Sequence, residues 1–302
     1  SVNLTTSSTA TLDADSNDDG SGDYSNTAGT FSTGGSALSI TANDFGLSGA
    51  INTGTGTTTI LISDGGSIGL GSTVGNMTIT GTELGNITAG ALAIGGSSAG
   101  AMTVDGISSS NSTNITTVDL NSSSIAFSTG DSTFNGLTAT ANTGAITGAA
   151  TLTVAGNSTF TTNASNQSIT LSSTSNDFTG AINFNTNGSS ANTTLVTNSS
   201  ITLGASTIGG NQSVVTNSSI TLGASTIGGN QSVTVGGTNQ TIDISGAQDV
   251  GGTIALQSSG NLTLTSSLTS SSSSNSAISL TSTSGGIFDG DSDGSTDIEV
   301  AK

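Results

Sequence analysis

The sequence predicts an all-β fold, a parallel β-helix (β-solenoid) with about 19–20 residues per turn, and three observations carry that reading. Residues 196–214 read VTNSSITLGASTIGGNQSV, and residues 215–233 repeat the same 19 residues letter for letter. A unit this short cannot bury an apolar face alone, so copies must stack along an axis. Apolar-polar-apolar triplets recur at the same period, and their alternation sends two side chains to one side and the middle residue to the other. The chain also contains no Pro, which suits a backbone whose N–H groups nearly all enter a ladder.

In chain order, Val2-Asn3-Leu4 and Ala10-Thr11-Leu12 read as the first strands. Ile60-Leu61-Ile62, Met77-Thr78-Ile79, Leu92-Ala93-Ile94, Met102-Thr103-Val104 and Leu152-Thr153-Val154 follow, less regularly spaced. The regular series then begins at Ile182, Ile201, Ile220, Ile242, Leu262 and Ile278, at spacings of 19, 19, 22, 20 and 16 residues. Unequal spacings place the insertions in loops and leave the strands alone. The expected core stacks Ile201 on Ile220 and Leu203 on Leu222. Thr202 over Thr221 and Thr207 over Thr226 form outward rows, and Asn198 over Asn217 and Asn211 over Asn230 form side-chain amide ladders. At about 4.8 Å per strand, roughly fifteen turns give a rod about 70 Å long. The expected organisation is one solenoid over residues 1–302, with acidic loops at 13–23 and 289–299.

Composition separates this reading from disorder. Ser, Thr, Gly and Asn dominate, and charged residues make up only 7%. Yet 31% of residues are hydrophobic, and they sit at period two among β-favouring Thr.

The segment from Ile169 to Ile182, ITLSSTSNDFTGAI, is followed by turns of the form ITLGASTIGGNQSVTVGG, and NDFGLSGAI at residues 43–51 is a looser copy. These residues resemble the repeats of filamentous-haemagglutinin-like and other large bacterial β-strand-repeat surface proteins, most clearly over residues 150–265. The resemblance implies a secreted, right-handed parallel β-helix serving as an adhesin, matrix component or surface fibre.

Nineteen acids face one base, for a formal net charge of −18. Nucleic acid is excluded as a partner because phosphate binding needs Lys and Arg, and no stretch approaches the length of a membrane span. The absence of Cys excludes disulfides and suits a protein exported unfolded. A chain beginning at Ser1 without a leader is expected to be a processed piece of a larger precursor.

Ten of the acids lie in two short segments. Asp15-x-Asn17-x-Asp19-Gly20-x-x-Asp23 and Asp289-x-Asp291-x-Asp293-Gly294-x-x-Asp297 share one template. It matches the first nine positions of an EF-hand-type loop, in which alternate side chains aim oxygens at Ca²⁺. Both loops lack the Glu at position twelve. The expected metal ligands are therefore Asp289, Asp291, Asp293 and Asp297, with Asp15, Asn17, Asp19 and Asp23 as a weaker or shared site. The alternative is a pair of solvated acidic turns.

An enzyme is not expected. Lyase-type β-helices need a basic residue, whereas this chain has no His and no Arg, and Lys302 is its one Lys. Asp64, Glu83, Asp105, Asp119, Asp131, Asp243 and Asp249 form no recognisable carboxylate pair for glycoside hydrolysis. An ice-binding array is disfavoured by the outward series Asn183, Thr202, Thr221, Asp243, Thr263, Ser279, which Asp243 interrupts. The expectation is an extracellular or cell-surface structural segment of a fibre or matrix, with an adhesin domain that binds host or cell-surface glycans as the alternative. Its expected partners are copies of itself end to end, or flanking segments of a longer chain.

Overall fold

The computed structural model describes residues 4–17, 19–291 and 297–300. Among them the chain is all-β, a solenoid of about 12 turns of mostly parallel strands, with two short helical turns at Gly81–Gly85 and Ser109–Ser112. The expected fifteen turns are thus too many, and the reason lies in the first half. The chain forms two compact units, one of Ser1–Gly144 and Leu152–Gly156, the other of Ala145–Thr151 and Asn157–Lys302.

In the first unit one interior file runs Ile40, Ile60, Ile94, Leu120, Ala139, each in register with the next. All five are fully buried. Ile94 pairs with Ile60, 34 residues earlier, because the intervening chain makes an excursion. It forms strands Ile68–Gly71 and Met77–Ile79, which pair with each other, and then the helical turn. The first-half triplets therefore do not count turns one for one. Ile60-Leu61-Ile62 and Leu92-Ala93-Ile94 share a file, Met77 and Met102 flank Ile68–Gly71, and Leu152–Val154 pairs with Ser132–Phe134. A capping box closes the helical turn: the Glu83 N–H donates to Thr80 Oγ1 (3.2 Å) and the Thr80 N–H donates to Glu83 Oε2 (2.8 Å).

The second unit has three strands per regular turn. Ile201–Leu203, Ile220–Leu222, Ile242–Ile244, Leu262–Leu264 and Ile287–Asp289 stack as one column. Ser206–Ile208, Ser225–Ile227, Gln248–Val250, Leu268–Ser270 and Ile298–Val300 stack as a second. Thr193–Thr197, Gln212–Thr216, Gln231–Val235, Ile254–Ser258 and Ile278–Ser282 stack as a third.

Ile201, Leu203, Ile220 and Leu222 are buried and stack as expected, and Thr202 lies over Thr221 and Thr207 over Thr226. Two registers differ from the expected series. Ile182 pairs with Leu203 rather than Ile201. Ile278 belongs to the third column, over Ile254, and Ile287 continues the first. The 16-residue step to Ile278 is too short for a turn built from three strands and their corners. The outward row beside Thr202 consequently reads Ala181, Thr202, Thr221, Asp243, Thr263, Phe288, with Asn183 and Ser279 outside it.

Where the turns lengthen near Asn157, larger side chains fill the interior. Phe160 stacks on Phe184 (5.7 Å, 24°) and meets Phe178 edge-on (6.2 Å, 89°).

Candidate functional site

The two acidic templates fold differently. At the C-terminal one, strand Ile287–Asp289 carries Asp289 into register with Leu264, and the Asp291 N–H donates to Asp289 Oδ1 (3.2 Å). The next strand, Ile298–Val300, is entered through Asp297, whose carbonyl accepts from Leu268 N–H (2.7 Å). Asp289, Asp291 and Asp297 thereby offer carboxylate oxygens all within 4.8 Å of one another. Asp289 and Asp291 are exposed and Asp297 is half-buried. Asp293 lies outside the described residues. Glu299 stands apart on the following strand, in register with Thr269.

At the N-terminal template Asp15 is a buried anchor. Its carboxylate accepts from the N–H groups of Asp19 (3.1 Å) and Gly20 (3.0 Å) and from Ser63 Oγ (2.7 Å), tying the loop to residues 48 positions away. Gly20 adopts φ +76°, the left-handed region that favours glycine. Asp19 accepts from the Ser21 hydroxyl and from Asn17 Nδ2 (2.7 Å), and these two hydrogen bonds hold its carboxyl below the ordinary value. Asp23 accepts from Asn43 Nδ2 (3.3 Å). Asp15, Asp19 and Asp23 do not form a cluster like the C-terminal one among the described residues.

Several mid-chain acids act as backbone caps. Glu83 Oε1 accepts from Leu47 N–H (2.9 Å) in addition to its capping box, and Asp44 Oδ1 accepts from Phe45 (2.9 Å) and Thr78 N–H (2.8 Å). Asp105 accepts from Gly130 N–H. Asp119, on the outward face between Ala93 and Thr138, has its carboxyl pushed up by burial.

The interior of the second unit holds a polar network that the apolar triplets do not announce. Gln212, Gln231 and Gln248 are each only 1% exposed. Gln231 Nε2 donates to Gln212 Oε1 (3.1 Å) in the same column and to Gln248 Oε1 (2.8 Å) across the interior. Gln248 Oε1 also accepts from Ser225 Oγ (2.6 Å), and its Nε2 donates to the carbonyls of Gly223 and Gly246, both at 2.7 Å. The signal was present in the sequence: Gln212 shares its parity with the buried Val214.

The asparagine files divide into two kinds. Asn217 Nδ2 donates to Asn198 Oδ1 (2.8 Å), a true amide ladder. Asn211 and Asn230 form a staircase instead, in which each Oδ1 accepts from the backbone of the next turn. Asn211 N–H donates to Asn192 Oδ1 (2.8 Å), Asn230 N–H to Asn211 Oδ1 (2.7 Å), and Thr253 N–H to Asn230 Oδ1 (2.8 Å). At Gly210 a Cβ would lie 2.6 Å from Asn192 Oδ1, which explains the Gly before Asn in this corner.

The outer surface of the second unit is concave where the first column bends into the second. A hollow of about 420 Å³ has the exposed methyls of Ala205, Ala224 and Ala247 as its floor, with Thr207, Thr226 and Asp249 beside them. A second hollow of about 260 Å³, lined by Thr161, Asn163 and Asn187, lies on the other side of Asn185 and Thr207, which border both.

A family model described as repeats of unknown function (DUF5649) matches residues 112–185. No curated protein and no solved structure matches the chain. The stacked registers and this match identify a β-strand-repeat protein.

Proposed function

We propose that the chain is a non-catalytic structural segment of an extracellular or cell-surface fibre or matrix, of the kind built by filamentous-haemagglutinin-like proteins. One observation carries the reading: the three columns of the second unit stack turn on turn in parallel register, with two identical turns in succession. Strands Ile278–Ser282, Ile287–Asp289 and Ile298–Val300 pair with the preceding turn, and no following strand covers them among the described residues. Ile287 is 48% exposed, and Ile298 and Val300 are 45% exposed, whereas Leu262 and Leu268 one turn earlier are fully buried. Ile278, Leu280, Ile298 and Val300 border a hollow of about 380 Å³ at this end. Open strand edges over an apolar interior recruit further strands. The next turn can come from a flanking segment of a longer chain or from a second copy, whose head-to-tail contact is heterologous and need not close.

The acidic cluster of Asp289, Asp291 and Asp297 lies at the same end, and calcium there would neutralise carboxylates that otherwise repel an acidic neighbour. Light scattering of the purified chain with calcium and with chelator tests the reading. Particles that grow in length with concentration, more so with calcium, are expected. A strict monomer at millimolar concentration in both conditions removes noncovalent assembly. Isothermal titration with no heat up to millimolar calcium removes the cation.

A further inference from the structure

We propose that Asn187 is a site of spontaneous covalent modification, at which its side-chain amide closes on the Gly188 nitrogen and is converted through a succinimide to aspartate or isoaspartate. The only co-reactant is water. The Gly188 nitrogen, its proton taken by solvent base, attacks Asn187 Cγ; the Cγ–Nδ2 bond breaks and ammonia leaves. Water then opens the five-membered ring at either carbonyl, and nothing is oxidised or reduced.

The chain has two Asn-Gly pairs, Asn135-Gly136 and Asn187-Gly188, and the fold treats them differently. Asn187 is exposed at the end of strand Ala181–Asn187. Its Nδ2 donates to the Asn163 carbonyl at 3.5 Å, the outer limit of a hydrogen bond, so the side chain is held loosely. Gly188 opens a turn in which its carbonyl accepts from the Ala191 N–H (2.9 Å), while its own N–H enters no hydrogen bond among the described residues. No Cβ shields that nitrogen. Asn135, by contrast, is clamped: its Nδ2 donates to the carbonyls of Ser112 (3.1 Å) and Ile115 (2.8 Å), and Gly136 is buried away from water and base. Asn157, Asn198 and Asn217 precede Ser, whose Cβ crowds the attacking nitrogen.

Each conversion adds a carboxylate to a chain that already carries a net charge of −18. The isoaspartate product also routes the main chain through the former side chain. That takes the Asn187 carbonyl, which accepts from the Asn166 N–H (2.7 Å), out of the backbone, so this turn-to-turn bond is the contact at risk. The assignment does not depend on the structural role proposed above.

Wild-type protein held in mildly alkaline buffer, sampled over time and mapped by peptic digestion in acid with tandem mass spectrometry, tests it. The same time course in guanidinium chloride is the comparison. In the folded chain Asn187 should gain the mass of an amide-to-acid conversion at least tenfold faster than Asn135, Asn157, Asn198 or Asn217, whereas in denaturant Asn135 and Asn187 should react at similar rates. Asn187→Gln, whose longer amide must close a larger ring, should remove the more acidic species that isoelectric focusing resolves. Circular dichroism monitors its folding, and the wild-type map decides alone if the variant does not fold. Conversion of Asn135 as fast as Asn187 in the folded chain, or of Asn187 no faster than the asparagines before Ser, overturns the proposal.

Discussion

Ile220 and Thr202 show how one atom-level rule, inside or outside, governs substitutions. Ile220 is 1% exposed and packs in register with Ile201 and Ile242, so Ile220→Asp buries a charge without a partner and should cost several kcal/mol. Thr202 is exposed, and Thr202→Asp should stay within about 0.5 kcal/mol of wild type. Thr221 is a poorer control because it faces Asp243 across the ladder, and an Asp there would oppose like charges. Equal shifts in thermal unfolding for Ile220→Asp and Thr202→Asp would contradict the facing. The buried glutamines make a second comparison. Gln231→Leu removes the donor to two buried acceptors, at an expected cost of about 1–3 kcal/mol, whereas replacing Gln212, Gln231 and Gln248 together by Leu should cost less per site. Asp119 supplies the pH dependence. Its folded-state carboxyl is raised by burial, so the folded chain holds the proton more tightly than the unfolded one. Stability from this group is therefore full below the unfolded value and falls as pH rises through the raised one. Asp119→Asn should abolish that slope in pH-dependent melting and raise the melting temperature slightly at neutral pH.

The turn is the natural element of this chain, and the duplicated pair makes it testable. Gln212 pairs with Gln231, Val214 with Val233, Ile201 with Ile220 and Ser206 with Ser225, so the second copy presents to the turn after it the same residues that the first copy presents to it. Deleting residues 196–214 joins Leu195 to Val215, the residue that repeats Val196. The shortened protein should keep its β-sheet circular dichroism and lose only one turn's increment of stability, because nearest-neighbour interfaces are retained. Deleting 19 residues elsewhere, for instance 242–260, breaks register with unlike neighbours and should unfold at a clearly lower temperature. Similar melting of the two deletions would show that turns are not matched to their neighbours.

For the whole molecule the dominant quantity is charge. Nineteen acids against one base oppose close approach of chains, whatever apolar surface an open end provides. The Debye length falls from about 30 Å at 0.01 M salt to about 3 Å at 1 M, so assembly through the open end of the second unit should be faster in high salt. Time-resolved light scattering at the two salt concentrations measures this, and slower growth in high salt would point to an ionic rather than an apolar contact.

Facing and stacking were legible in the sequence because both are local: parity within a triplet sets the side of a strand, and identical copies can meet only in register. The order of acids in the two templates was equally visible, yet the templates diverge in space. Asp15 is drawn inward by Ser63, 48 residues away, while Asp289, Asp291 and Asp297 converge at the surface. The column to which Ile278 belongs, the pairing of Ile182 with Leu203, and the long excursion before Ile94 were decided only by the tertiary structure. A parallel strand gains its ladder from a partner a full turn away, and the connecting corners absorb insertions at little cost in loop entropy. Spacing along the chain therefore counts turns only where the turns are alike, and everywhere else the pairing itself determines which residues meet.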